Sequence, residues 1–205
     1  VGGIFILSKG GVHIISSFIL VVAVVGWYSS RFIPATEPAQ PRLRVNPNFL
    51  TETWKIIRYT AGYRDLFLSI LAISWFWLVG ATFLAQVPTF GKDVLGGNQD
   101  VVTLLLLVFS VGIGIGSLLC NRMLKGVVNA TYVPFGALGI TVFAVDLYFA
   151  SSQAQPVAGA ALIGAGEFLG TFDGWRIIAD ILLLAIAGGI YVAPLNAIVQ
   201  ERSDE

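Results

Sequence analysis

Residues 101–126 read VVTLLLLVFSVGIGIGSLLCNRMLKG. Val101 to Cys120 holds no charged residue, and Arg122 and Lys125 then follow in quick succession. A bilayer core of ~30 Å needs about 20 mainly apolar residues in an α-helix, so this stretch supplies one span and a basic connection after it. The rest of the chain repeats the arrangement. Arg31, Arg42, Arg44, Lys55, Arg58 and Arg64 crowd into one polar stretch, whereas no Lys or Arg occurs between Lys125 and Arg176. Cytoplasmic loops of membrane proteins are enriched in Lys and Arg. The alternation predicts an all-α integral membrane protein with a readable orientation.

Composition agrees. The chain is 56% hydrophobic and 12% charged, with a mean hydropathy of +0.82, where a soluble domain carries roughly 25% charged residues. A net charge of zero leaves no broad basic surface for nucleic acid. The single cysteine, Cys120, has no internal disulfide partner and reads as a small apolar residue near a helix end. His13 has no second His or Cys to share a metal, so neither a metal site nor a cofactor is expected. Val1 lies within an apolar run with no basic n-region or cleavage site before it, and the chain reads as a segment of a longer membrane protein.

Five candidate spans emerge: Val12–Tyr28, Leu66–Val87 closed by Pro88, Val101–Cys120, Val127–Phe149 and Ile177–Val199. Val1–Leu7 reads as the tail of a preceding helix, with Ser8-Lys9-Gly10-Gly11 as a turn. Loop charges place residues 29–64, 121–126 and 201 onward inside, and residues 88–100 and 150–173 outside, with Lys92 beside Asp93 as the one outer cation of the scheme.

The inner stretch 29–64 starts extended, with Pro34, Pro38, Pro41 and Pro47. Asn46 before Pro47 fits a helix cap, after which Leu50, Trp54, Ile57 and Ala61 fall on one face. Glu52, Lys55 and Arg58 lie off that face. This is the pattern of a helix on the inner membrane surface; packing on the protein's own inner side is the competing reading. The outer stretch 150–173 begins polar and turns small and apolar, and Val157–Leu162 is too short to span. It suits a surface helix or a plug over an external opening.

Ionisable residues inside spans are costly and therefore candidates for function. Asp146 and Asp180 are the two that lie well within spans. Asp146 is close enough to its helix end to reach the headgroups. Arg176 precedes Asp180 by four positions, which puts both on one helix face within pairing distance. The pair either braces the outer half of its helix or forms an outer gate or headgroup contact, with Arg176 the anion ligand. Asn196 and Gln200 share a face near the inner end, either packing or lining a pathway. Gly188, Gly189 and Pro194 allow close contact or bending. Gly112, Gly114 and Gly116 offer a smooth, mobile packing surface, and Trp75 and Trp77 at mid-span either pack or shape an apolar cavity. No G-x-S-x-G, H-E-x-x-H, Walker A or H-x-x-x-x-D pattern is present, so catalysis is not expected in this segment.

The connection Ser117-Leu118-Leu119-Cys120-Asn121-Arg122-Met123-Leu124-Lys125-Gly126 resembles the loop signature of the major facilitator superfamily, G-x-L-[AG]-D-[RK]-x-G-[RK]-[RK]. Leu119, Arg122 and Lys125 match; Ser117, Asn121 and Leu124 depart, as suits the weaker second-half copy of that signature. Ser30-Arg31-Phe32-Ile33-Pro34, Gln86-Val87-Pro88, residues 174–180 (GWRIIAD) and residues 188–200 (GGIYVAPLNAIVQ) resemble its lysophospholipid transporter branch, including forms fused to an acyltransferase and an acyl-carrier-protein ligase.

The resemblance implies a fragment of a 12-helix fold, about helices 5/6 to 10. Residues 1–28 would end the N-terminal six-helix half, 29–64 would be the cytoplasmic inter-half linker, and 65–205 the first four helices of the C-terminal half. It further implies alternating-access movement of lysophospholipid across the bacterial inner membrane toward re-acylation. A fused acyltransferase would lie beyond residue 205, a separate one would be a partner, and Arg176 and Asp180 would form the polar pair of the second half. Two alternatives stay open at this point: an exporter of a drug or small metabolite in the same fold, and a non-transporting membrane anchor for a fused acyltransferase.

Overall fold

The computed structural model describes residues 2–32, 48–124, 128–153 and 161–203, with the backbone alone described for residues 2–15. Arg42, Arg44, the four linker prolines, Asn46, Lys125 and most of Val157–Leu162 lie outside the described residues. Among those described, every regular element is a helix: α1 (Gly2–Ser30), α2 (Phe49–Thr60), α3 (Arg64–Thr89) running into a π-helical turn (Phe90–Val94), α4 (Gln99–Leu124), α5 (Val133–Gln153), the short α6 (Ala165–Leu169) and α7 (Phe172–Ser203). The chain divides into two compact units, Val1–Ile56 and Ile57–Glu205.

Four helices are long and apolar enough to cross a bilayer: Arg64–Val94, Gln99–Leu124, Val133–Gln153 and Phe172–Arg202. The protein is a multi-pass membrane protein. In the first unit, α1 passes straight through Ser8-Lys9-Gly10-Gly11, where a turn was expected. Each glycine costs a helix only about 1 kcal/mol relative to alanine, too little to break a long apolar run. At its end the Arg31 guanidinium lies 4.1 Å over the Trp27 ring. The cap of α2 is Asn48 rather than Asn46, its side-chain oxygen accepting the Thr51 N–H at 3.3 Å. Leu50 and Trp54, on the apolar face of α2, are each 67% exposed. Glu52 and Lys55 pair at 2.8 Å on the polar side.

In the second unit α7 is the hub, packed along its length against α4 and α5 and more lightly against α3. Gly112 and Gly116 of α4 and Gly189 of α7 admit backbone-level contact. A Cβ at Gly189 would lie 2.5 Å from the Ile113 carbonyl oxygen, and one at Gly112 would lie 2.6 Å from the Ala185 Cβ. Gly136 and Gly139 of α5 do the same against Ala187 and Tyr191. These glycines let α7 pack at backbone distance against its neighbours, the close packing their smooth surface predicts, whereas Gly114 faces open space. α3 touches the others through Phe76 stacked on Tyr191 and Phe83 stacked on Phe109. Trp75 and Trp77 are 64% and 62% exposed, so the ordinary internal packing considered for them does not occur within the described residues.

Three boundaries differ from the sequence expectation, each for a local reason. Pro88 does not close α3: the helix continues through it, widens into the π-helical turn, and ends where the Leu95 N–H bonds the Phe90 carbonyl. α4 extends to Leu124, so Ser117, Asn121 and Arg122 are its last turns rather than a loop. α5 starts at Val133, not Val127, because Asn129 folds the preceding residues into a turn by accepting the Thr131 N–H at 3.0 Å.

The starts of α4 and α7, the end of α5 and α6 meet at one end of this unit, together with Asp93, Asp100, Glu167 and Asp173. That acidic end holds the buried core, including Val101, Leu105, Phe168, Ile177 and Ile181. An isolated parallel bridge between Gly97 and Ile163 joins its two loops, with 2.9 Å bonds from Asn98 N–H to Ile163 C=O and from Ile163 N–H to Gly96 C=O. Gly96 supplies the positive φ of 63° this turn needs. Thr171 caps α7 by accepting the Gly174 N–H at 3.0 Å. Phe168 of α6 is inserted into this core, 3% exposed.

Candidate functional site

Asp180 lies two turns into α7, Asp146 two turns before the end of α5 and Arg176 one turn into α7, and the fold brings the three together. Arg176 and Asp180 are successive-turn neighbours on α7, and Asp146 is on α5. The Arg176 Nη2 donates to Asp146 Oδ1 at 2.5 Å. The expected Arg176–Asp180 pair is therefore replaced by a pair across two helices, and Asp146 is engaged rather than simply reaching for headgroups. The physical reason is burial. Asp180 points among the core residues and is 4% exposed, whereas the Arg176 and Asp146 side chains are 33% and 43% exposed. A guanidinium following Asp180 inward would have to shed its hydration.

The Asp146 and Asp180 carboxyls are close enough to interact electrostatically. Asp180 Oδ2 has no hydrogen-bond partner among the described residues. The guanidinium therefore pairs with one of the two carboxyl groups, Asp146. Such a cluster offers unused Arg176 N–H groups to an anion, while the unpaired Asp180 oxygen is shut away from solvent in the core.

Asn196 and Gln200 do not join this cluster. Asn196 lies sixteen residues beyond Asp180 on α7, ~24 Å at the helical rise. Its amide donates to the Val192 carbonyl at 3.1 Å, and both residues are exposed. Pro194 leaves the Ile190 carbonyl without its helical N–H donor. The Cys120 thiol, fully buried on α4, approaches that oxygen at 3.7 Å. Cys120 thus has a structural partner that its sequence position did not disclose. In the signature, Ser117 Oγ donates to the Ile113 carbonyl at 2.9 Å, while Asn121 and Arg122 are exposed.

The opposite, basic end carries Arg64, Arg122 and Arg202 and is cleft rather than packed. A cavity of about 520 Å³ opens between the start of α3, the turn before α5 and the end of α7, lined by Asp65, Ser69, Asn129 and Arg202 over an apolar floor. Beside it a cavity of about 440 Å³ is lined by Tyr59, Tyr63, Arg64 and Arg202. There a hydrogen bond with Tyr63 raises the Tyr59 hydroxyl above its ordinary pKa. Two nearly wholly apolar clefts follow, about 410 Å³ between α5 and α7 and about 600 Å³ between α3 and α7, the latter lined by Trp75 and Tyr191. Sequence reasoning missed the first cavity because its polar residues come from three separate helix ends and form no motif. Among the described residues no group of three or more His, Cys, Asp or Glu could hold a metal.

No protein-family model, no curated protein and no solved structure matches this chain.

Proposed function

We propose that this chain belongs to a major facilitator transporter that moves lysophospholipid across the bacterial inner membrane by alternating access, supplying re-acylation in the cytosolic leaflet. The observation that supports the reading is the Asp146–Arg176–Asp180 cluster, formed by charged side chains one to two turns inside the ends of two apolar spans. Ionisable groups at membrane depth mark substrate or ion pathways. The quoted resemblances over residues 30–34, 86–88, 117–126, 174–180 and 188–200 supply the substrate class.

A lysophospholipid needs polar contacts for its headgroup and apolar walls for its chain. The cluster offers the first through Arg176, and the apolar clefts beside α7 offer the second. Rocking of two halves about a central site is the movement that such bundles use. In this reading residues 29–64 link the two halves, and residues 117–125 are the second-half signature.

The test is flipping of fluorescent lysophosphatidylethanolamine in proteoliposomes holding the whole protein that contains this chain. Arg176→Ala is expected to slow flipping at least tenfold. Flipping absent in the wild type, with movement of a drug or metabolite instead, would replace the lipid reading with that of an exporter. No movement of either would leave a membrane anchor.

A further inference from the structure

The 520 Å³ cavity at the basic end has the make-up of a headgroup site distinct from the Arg176 cluster. Its volume falls within the roughly 300–1,000 Å³ of small-molecule sites. Three kinds of donor converge on it. Ser69 of α3 is 5% exposed, lines the cavity, and its hydroxyl makes no hydrogen bond among the described residues. Asn129 has its side-chain oxygen committed to the Thr131 N–H, so the amide nitrogen is the group left to donate. Arg202 brings a guanidinium from the end of α7, and Arg64 lines the adjoining cavity that Arg202 shares.

Two carboxylates, Asp65 of α3 and Glu201 of α7, also line the cavity, together with the apolar Leu68, Ala72, Val133, Leu195 and Ile198. Hydroxyl, amide and guanidinium donors together match phosphate oxygens. The carboxylates match an ammonium a few ångströms away, and the apolar floor matches hydrocarbon next to the ester. A simple anion would leave the carboxylates facing it, and a simple cation would leave the guanidinium facing it.

We propose that this cavity binds the zwitterionic phosphate–amine headgroup of a lipid, with Ser69, Asn129 and Arg202 on the phosphate and Asp65 and Glu201 on the amine. The inference rests on the lipid-transport reading for its biological role, since it makes the cavity the point at which a headgroup leaves or enters at the basic end. The binding chemistry itself is measurable without transport.

The experiment titrates the purified whole protein in detergent with glycerophosphoethanolamine, glycerophosphoglycerol and inorganic phosphate by calorimetry, in the wild type and in Ser69→Ala, Arg202→Gln and Asn129→Ala. Glycerophosphoethanolamine is expected to bind at least several-fold more tightly than the other two. Arg202→Gln is expected to weaken it about tenfold, as loss of a charged hydrogen bond does, and Ser69→Ala several-fold. Asn129 sits in a turn outside the helices, so Asn129→Ala keeps the test valid should a helix variant misfold. Equal binding of all three compounds, or binding unchanged in all folded variants, overturns the site. If binding follows these variants while no lipid is flipped, the site stands and the transport reading falls. If flipping depends on Arg176 while binding ignores all three variants, the reverse holds.

Discussion

Arg176 reaches across to Asp146 on a different helix, thirty positions earlier in the chain, and leaves Asp180 on its own helix with an open oxygen. This choice of partner separates two carboxyls that look equivalent in the sequence. One is tied to a cation at the rim, and the other is held in the core.

Removing the guanidinium should therefore hurt more than removing its partner. Arg176→Gln leaves Asp146 and Asp180 facing each other without a cation, whereas Asp146→Asn leaves Arg176 with Asp180 nearby. We expect a small but measurable favourable coupling in a double-mutant cycle of Arg176→Gln and Asp146→Asn, since the pair is partly exposed. Thermal midpoints in detergent measure it. A coupling of zero would mean that the contact contributes nothing to holding α5 against α7.

Asp180→Asn should behave in the opposite way. A buried carboxyl with an orphaned oxygen is a cost to the fold, and a neutral amide of the same shape relieves it. The variant is expected to match or exceed wild-type stability by about 1 kcal/mol. A loss of 3 kcal/mol or more, the range for breaking a buried pair, would show that Asp180 is a fully compensated anion.

The glycines of α4 and α7 give a matched control. Gly189→Val brings a side chain against the Ile113 carbonyl and the Ser117 N–H, and overpacking of this kind costs on the order of 1–3 kcal/mol or more. A Cβ at Gly114 meets nothing within 4 Å, and Gly114→Val should change stability by less than about 0.5 kcal/mol. Equal effects at the two positions would remove the case for a clamped α7.

Cys120 and Pro194 should be coupled through the Ile190 carbonyl. Cys120→Ala takes away the only side-chain donor recorded at that oxygen among the described residues, at a cost of about 1 kcal/mol. Pro194→Ala restores a helical N–H to the same oxygen, and Cys120→Ala should cost measurably less in that background. Independent effects would mean that the thiol serves packing alone.

Much of this architecture was legible from residue spacing. Apolar run length located the cores of α3, α4, α5 and α7, because hydrocarbon thickness sets a length that local composition must satisfy. Asp146, Arg176 and Asp180 were legible as candidates because charge is scarce in such runs. Their pairing was not: i,i+4 proximity is a property of one helix, whereas the Asp146–Arg176 contact depends on how far α5 slides along α7. Pro88 misled because a widened turn absorbs a missing N–H as well as a helix end does. Ser69, Asn129 and Arg202 were invisible for a different reason, since a cavity formed by three helix ends has no spacing to read.

The central position of α7 also bears on how the chain is made. Asp180 and Arg176 would each add roughly 2.5–3.5 kcal/mol to inserting an isolated helix if they sat at its centre, and α7 is the last of the four spans to be synthesised. By then α5 is already present with Asp146, and α4 and α5 already display the glycine faces that α7 fits. The order of the helices along the chain lets the most polar of them arrive when its partners are waiting, so biogenesis and packing place the same demand on one succession of segments.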